Sequence, residues 1–473
     1  MNITKTDFKL YLEAPLHLWA LKHDQLERHA PTPFEQHLAQ QGLAIEALAK
    51  DYLAVFTAGR YSHGELIWQP TYQDGEFEAR ADALIYDPQA QVYDIYEIKS
   101  STSLKKEHEY DAAFQFLVCA ANLPIRDVYL VHLNKEYTRQ GELDIGAFFI
   151  TELISERVMN LQAEVAQARL EALVSAQLPD PAGIPGCSNP GSCVCPGLCH
   201  PGLPDYPIYD LPRIGKKALE LKGQGILSIA EIPDDYPLSP SQKQQVQLVK
   251  QGRPQVNQEA IRQELDRLVY PLYFLDYETF NPGIPLFDGY HPYQHIVYQY
   301  SLHVLANPTS QLEHFELLLT GPGDPVKELL ESLASLIGSS GSVVVWFKNF
   351  ETGRNKDMAE ICPEFGDFLL SVNERIYDLM EIFSQGYYLH PEFRGSASLK
   401  SVLPVLVPEL SYAGLPISSG EVCMLAWWKL YSGALAVDET ESTKTAMLKY
   451  CETDTLAMVK IWEKLFKLGM EGK

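Results

Sequence analysis

The chain has 473 residues, of which 46% are hydrophobic and 21% charged, and its formal net charge at pH 7 is −24. The composition is that of a folded soluble protein, and the length exceeds one ordinary core, so two or three domains are expected. The acidic balance argues against a protein that coats nucleic acid by bulk electrostatics; it does not exclude a nuclease, whose clustered carboxylates hold divalent metals that reverse the local sign.

The N-terminus, MNITKTDFKLYLEAPLHLWAL, carries no cleavable signal pattern. No apolar run reaches the roughly 18 residues of a membrane span. A cytoplasmic protein with no membrane partner is expected. Residues 1 to about 60 read as helical; FEQHLAQQGLAIEALAKDYLAVF has helical apolar spacing and ends near Gly59. Over 65–100 the period changes. ELIWQPTY, FEARADALIY and VYDIYEIKS are short and rich in aromatic and β-branched residues, and DPQAQ marks a turn between the last two, which predicts a hairpin. A helix is expected over 106–121, a strand at VYLVHLN, and a long amphipathic helix over 150–177. Residues 181–205 are rich in Pro, Gly and Cys and should be irregular; 206–265 return to helix and turn. From 266 a second α/β region begins, with strands at PLYFLDYETF, 296–305 and 343–347 before a mostly helical C-terminus. The fold class is α/β throughout.

Within the hairpin, Glu97 and Lys99 are i and i+2 on one strand and share a face. Asp82 on the preceding strand would lie near Glu97. Carboxylates of this kind hold metals for phosphodiester cleavage, and a lysine orients water or relieves developing charge. The triplet E-x-K alone is common and is ordinarily a solvated strand face. With Asp82 upstream and Asp111 and Gln115 on the following helix, residues 1–180 resemble the RecB-like branch of the PD-(D/E)xK nucleases. That resemblance implies catalytic roles for Asp82, Glu97, Lys99 and Gln115, with Asp82 and Glu97 on Mg²⁺ or Mn²⁺. The family often continues the glutamine into Q-x-x-x-Y, where this chain has Cys119, and draws an acid or histidine from the first helix, for which Glu46 is the candidate.

Cys187, Cys193, Cys195 and Cys199 fall within thirteen residues, followed by His200. Four cysteines in an irregular cytosolic segment point to a metal more than to disulfides, either zinc or an iron–sulfur cluster. Some RecB-like nucleases carry a [4Fe–4S] staple, one cysteine before the nuclease core and three after it. The resemblance therefore implies iron–sulfur, although Ala14-Pro15 stands where a Cys-Pro is expected, leaving Cys195 as the replacement ligand. Further on, YDLPRIGKKALELKGQG has the cadence of a helix-hairpin-helix, in which Gly215, Lys216 and Lys217 would meet a phosphate. A plain turn between packed helices has the same cadence.

In YFLDYETF an apolar strand delivers Asp276 and Glu278 on one face, which is costly unless they bind something positive. Tyr450 and Asp454 are i and i+4 on a late helix. D-x-E on a first strand with Y-x3-D on a late helix resembles the DEDDy branch of DnaQ-like 3′–5′ exonucleases, over about 268–470. The resemblance implies a ribonuclease H-like domain in which Asp276, Glu278, Asp454 and a middle acid hold two metals and Tyr450 positions water. The middle acid is usually an aspartate; here Glu351 follows Phe350, with Asp357 and Asp378 as alternatives. The pairing of the two domains resembles an uncharacterised bacterial two-nuclease family. The expectation is a metal-dependent nuclease with two sites, DNA favoured over RNA. The alternative is a nucleic-acid-binding or assembly subunit, partnered in a repair or defence complex, with one or both sites inactive.

Overall fold

The computed structural model describes residues 1–26 and 30–470, so residues 27–29 of the expected N-terminal helical run lie outside the described residues. The chain divides into two units, Met1–Leu203 with Gly283–Tyr293, and Pro204–Pro282 with Gln294–Lys473. The cysteine-rich segment falls in the first unit and the 206–265 region in the second.

The first unit is built on a mixed five-stranded sheet in the order Glu65–Trp68, Ala83–Asp87, Val92–Lys99, Ile125–Leu133, Phe149–Leu153. The hairpin across DPQAQ is antiparallel, with Ala83 opposite Tyr96 and Asp87 opposite Val92. Val92–Lys99 then runs parallel to Ile125–Leu133, a connection that needs a crossover, and the helix Lys106–Ala120 supplies it. Both faces of the sheet are covered. Leu84, Ile95, Val128 and Leu130 pack with Ala112, Phe114, Val158 and Val165 of two helices; Ile85, Tyr96, Tyr129 and Val131 pack with Ile45, Ala49 and Leu53 of the helix Pro33–Arg60. The expected helix over 150–177 starts only at Ser155. Phe149–Leu153 instead pairs antiparallel with Ile125–Leu133, as the aromatic and β-branched run FIT favours.

The second unit holds another five-stranded sheet, in the order Glu313–Leu318, Ile296–Leu305, Leu272–Phe280, Ser342–Val345, Ile376–Asp378. Ile296–Leu305 is antiparallel to both of its neighbours, and the last two strands are parallel to Leu272–Phe280. The strands Glu313–Leu318 and Ile376–Asp378 add to those expected from sequence. Leu272–Phe280 sits at the centre, which explains its near-continuous apolar run. Its pairing with Ser342–Val345 ends at Phe274–Val344, so Asp276 and Glu278 project beyond the end of the parallel pair. The helix Val437–Met470 packs on the sheet through Ala457, Met458, Ile461 and Trp462, against Leu272, Phe274 and Val344. Among the described residues no helix is long and apolar enough to cross a membrane.

The helix-hairpin-helix expectation is corrected here. Gly215, at φ 52° and ψ −132°, caps the helix Lys216–Gly223, but the residues before it form only a three-residue 3-10 turn, Ile208–Asp210. Pro207 and Pro212 flank that turn; proline removes a backbone donor and biases its predecessor away from helix. Lys217 Nζ donates to Pro237 O at 2.5 Å, so it does not stand free beside the turn as a phosphate contact requires. Lys216 is exposed.

Candidate functional sites

In the first unit the hairpin and the crossover helix bring Asp82, Glu97, Lys99 and Gln115 together. Asp82 accepts the Ile98 backbone N–H at 2.8 Å. Glu97 is fully buried and accepts from Gln115 Nε2. Its Oε1 lies 2.8 Å from Lys99 Nζ and 2.9 Å from Lys5 Nζ. Lys99 also donates to Asp111 Oδ2 at 2.9 Å. Burial works against ionisation of Glu97, yet the two ammoniums outweigh it and hold the carboxyl below the usual range. Asp82 behaves oppositely: burial, then the charge on Glu97, push it up to about 7. Neighbouring carboxylates thus diverge, the pattern that marks functional sites. The Gln115 side-chain oxygen is buried without a hydrogen-bond partner.

Glu46 is joined to this group through Gln69. Its carboxylate accepts from the Gln69 side chain, and the Gln69 backbone N–H donates to Asp82 O at 3.0 Å. The first-helix contribution to Glu97 is Lys5, in the helix Lys5–Glu13. Nothing in ITKTDF marks it; a lysine in a first helical turn ordinarily reads as a solvated residue.

The second unit gathers Asp276, Glu278, Glu351, Tyr450 and Asp454. Asp276 and Glu278 are i and i+2 on the central strand, and a register shift follows Glu278; bulges of this kind occur beside active sites and re-aim side chains. Burial, then the charges of Asp276 and Asp454, raise Glu278 well above the ordinary range. Burial, then Asp454, do the same to Asp276. Glu351, on the helix Lys348–Ile361, is buried with Oε2 lacking a hydrogen-bond partner; burial and then Asp276 push its carboxyl up. Asp454 is pushed up to about 6, with burial the leading cause and the Tyr412 hydrogen bond and then the Lys400 charge opposing it. Lys400 Nζ lies 5.8 Å from the Tyr412 ring centroid and 5.9 Å from that of Tyr450.

The two alternatives for the middle acid are placed elsewhere. Asp378 accepts the backbone N–H groups of Phe347, Lys348 and Met380, so it caps the turn that starts the Lys348–Ile361 helix. Asp357 pairs with Arg354 at 2.7 Å. Tyr412, whose hydroxyl donates to Asp454, and Lys400 were not legible as site residues; both come from a loop and a short helix with no diagnostic spacing. Among the described residues, Asp276, Glu278 and Cys451 offer ligand atoms all within 4.8 Å of one another. A cluster of buried carboxylates with an unpartnered oxygen fits divalent cations.

The cysteine-rich segment forms a third constellation. His17, Cys187, Cys193 and Cys199 present ligand atoms within 4.8 Å of one another. Cys195 Sγ lies 3.6 Å from Cys199 Sγ, at the edge of the group, and His200 Nε2 is 3.1 Å from Cys187 Sγ. All four cysteines are free of disulfides. The compact set therefore contains His17, where sequence reasoning had placed Cys195. His17 Nε2 lies 3.4 Å from Cys193 Sγ; its Nδ1 is buried without a hydrogen-bond partner, with Glu13 Oε2 3.5 Å away. Within LHLWAL it reads as a core histidine. The segment is docked by Leu16 N–H to Pro185 O at 3.1 Å and Trp19 Nε1 to Leu178 O at 2.7 Å. Burial pushes the Cys193 thiol up to about 11 and the Cys187 and Cys195 thiols up to about 12, so a bound cation is what would turn them into thiolates.

Residues 273–398 match the family described as Domain of unknown function (DUF2779). Uncharacterized protein UU173 of Ureaplasma parvum is 26% identical over 291 residues, 57% of this chain and 42% of that protein. Uncharacterized protein MG366 of Mycoplasma genitalium is 26% identical over 206 residues, 40% of this chain and 31% of that protein. The chain thus matches less than half the length of these relatives, and no solved structure matches it. The matched span holds Asp276, Glu278 and Glu351 and ends before Tyr450 and Asp454.

Proposed function

We propose that the chain is a metal-dependent nuclease, DNA favoured, with two phosphodiester-hydrolysing sites, the C-terminal one a 3′–5′ exonuclease. The observation that carries this reading is the convergence of Asp276, Glu278, Glu351 and Asp454 with Tyr450 at the end of a central strand. The strand order, with the antiparallel strand second in the chain, agrees with the ribonuclease H-like arrangement implied by the D-x-E and Y-x3-D motifs. Those four acids would hold Mg²⁺ or Mn²⁺, which when bound supply an acidified water and charge relief at the phosphate. Tyr450, beside Asp454, would orient a water or the terminal phosphate. Lys400, beside the Tyr412 and Tyr450 rings, places positive charge where a phosphate arrives. In the first unit, Asp82 and Glu97 would share a cation while Lys99 steadies the attacking water.

The test is the purified chain on 5′- and 3′-labelled single-stranded and frayed DNA and RNA, with Mn²⁺ and with EDTA. Stepwise shortening from the 3′ end that needs Mn²⁺ and disappears in Asp276→Ala is expected. No cleavage of any substrate would sink the reading. One observation favours a second reading, a nucleic-acid-binding or assembly subunit: Lys5 and Lys99 already neutralise Glu97, as in a site that no longer takes a metal.

The cysteine–histidine centre is structural in either case. A tetrahedral ion with metal–sulfur bonds of about 2.3 Å holds its ligand atoms about 3.8 Å apart. A cubane cluster interposes its own iron and sulfide and spreads the thiolates further. The spacing within 4.8 Å supports zinc over the iron–sulfur cluster implied by the resemblance.

A further inference from the structure

The second unit carries a separate set of metal-binding side chains, on the sheet face that also bears Asp276. Directly opposed residues on neighbouring strands share a face, and the register sets Asp276 opposite Ser301 and Ser301 opposite Glu316. The next row sets His303 opposite His314. The two imidazoles stack with centroids 4.3 Å apart. Above them runs the Val437–Met470 helix, from which Glu452 reaches down; His303, His314 and Glu452 offer ligand atoms all within 4.8 Å of one another. His303 lies one strand and His314 two strands across the sheet from Asp276, and the group shares no residue with the Asp276 cluster.

The surroundings are those of a built site. His303 is 3% exposed. Its Nδ1 lies 2.8 Å from Thr455 Oγ1, Thr455 Oγ1 lies 2.7 Å from Ser301 Oγ, and Ser301 Oγ lies 3.0 Å from His314 Nε2. One hydroxyl chain therefore engages one nitrogen of each ring and fixes both orientations, leaving each ring a second nitrogen, as partners of metal-bound histidines do. Glu316 Oε2 is 4.0 Å from His314 Nε2, the nitrogen that faces Ser301, so it flanks the ring and is not one of the three grouped ligands. Lys449 pairs with Glu452 Oε2 at 2.8 Å, so an incoming cation takes the other oxygen or displaces an exposed ammonium. A purely structural role explains the buried ring poorly: two stacked histidines beside a carboxylate pack no better than apolar residues, whereas two imidazoles and a carboxylate are a zinc donor set.

We propose that His303, His314 and Glu452, with Glu316 beside them, bind one zinc-class divalent ion that braces the Val437–Met470 helix to the Ile296–Leu305 and Glu313–Leu318 strands. Two imidazoles select such an ion over Mg²⁺, which takes oxygen ligands. The brace sits on the helix that carries Tyr450 and Asp454, with Glu452 between them in sequence. Its existence does not depend on nuclease activity.

The experiment measures zinc retained by the full chain after dialysis against trace Zn²⁺ with millimolar Mg²⁺ present, alongside His314→Gln and Glu452→Gln. Both side chains are part-exposed, 24% and 28%, so both variants should fold, which circular dichroism checks. The expected result is one zinc equivalent fewer per chain in each variant than in the wild type. Zinc at the cysteine centre is common to all three proteins and drops out of the difference. A second readout is the melting temperature, which micromolar Zn²⁺ should raise in the wild type and raise less in each variant. Equal zinc content in all three proteins overturns the proposal. So does a zinc-dependent shift that the variants keep in full.

Discussion

Lys5 and Glu97, 92 residues apart in sequence, meet at 2.9 Å, and the carboxylate they share with Lys99 is fully buried. Lys5 is therefore a cation already in place where the hairpin acids would take a metal. Replacing it with methionine leaves Glu97 with one ammonium, and the cost is expected to be about 2 kcal/mol in EDTA, less than for a buried pair left wholly unpaired. Saturating Mn²⁺ should remove most of that cost, because the ion takes over as counter-charge. Denaturant melts of wild type and Lys5→Met in both conditions check this; an equal loss with and without Mn²⁺ would count against metal binding at Asp82 and Glu97.

The two acid clusters lie in separate units and share no side chain, so their activities should separate. Lys99→Ala is expected to remove cleavage by the first unit by a factor of about 100 or more while 3′ trimming continues. Asp276→Ala should do the reverse. Product lengths on end-labelled DNA distinguish the two. If each single variant and the double variant retain wild-type products, neither cluster is catalytic.

Tyr412 donates to Asp454 and Tyr450 lies beside it, but only Tyr450 belongs to the Y-x3-D motif. Tyr450→Phe removes a hydroxyl that would position water and is expected to lower kcat about 100-fold with KM little changed. Tyr412→Phe removes a donor from a buried carboxylate. Its main effect should be stability, about 1 kcal/mol, with kcat falling less than for Tyr450→Phe. Steady-state kinetics of the two variants, with melts, test the division of roles.

The buried acids also set a pH dependence of stability. Burial pushes Asp454 up to about 6 and Asp82 up to about 7, whereas in an unfolded chain such groups ionise near 4, so between these values the folded chain binds more protons. Metal-free stability should thus be highest at acid pH and fall as pH rises through about 4 to 7; for Asp454 alone the loss is on the order of 3 kcal/mol. Glu97 has the opposite shift, its carboxyl held low, and stays charged across this window. Divalent ions bind the ionised carboxylates, so Mn²⁺ should raise the melting temperature more at about pH 8 than at about pH 5. A melting temperature that climbs with pH in EDTA over this range contradicts the shifts.

Much of this architecture is legible in the chain, for specific reasons. DPQAQ between two aromatic, β-branched runs gives the hairpin that joins Asp82 to Glu97. The apolar run around Asp276 and Glu278 gives a central strand whose acids need a counter-charge. The illegible parts are those where one residue arrives from far along the chain without periodic context. Lys5 and His17 sit on short N-terminal helices and look like a solvated lysine and a core histidine. Tyr412 lies in a loop. His303 and His314 become neighbours only through strand register, eleven residues apart with an irregular turn between. The helix-hairpin-helix cadence around Gly215 misled because local turn chemistry is the same whether a helix or a proline-flanked 3-10 turn precedes it.

His17 gives the cysteine centre its sharpest test. If one zinc ion is held by His17, Cys187, Cys193 and Cys199, the purified chain is colourless and contains zinc there, and Cys199→Ser loses it. An iron–sulfur cluster would instead absorb near about 400 nm and should depend on Cys195 more than on His17. His17→Ala should weaken zinc binding about 10- to 100-fold, as loss of a ligand or its orienting partner does elsewhere. The fold consequence is local. Residues 181–203 have few apolar side chains beyond Ile184, Cys195, Leu198 and Cys199 packed on Leu16, Trp19 and Ala20, too little to order a Pro- and Gly-rich stretch without a cross-link. Removing the metal should therefore expose this stretch to protease at a rate many times that of the loaded chain, while the sheet holding Glu97 keeps its amide protection. Hydrogen exchange on loaded and chelator-treated protein reads both regions at once. Equal protection of 181–203 in the two states would mean that the metal does not hold this segment.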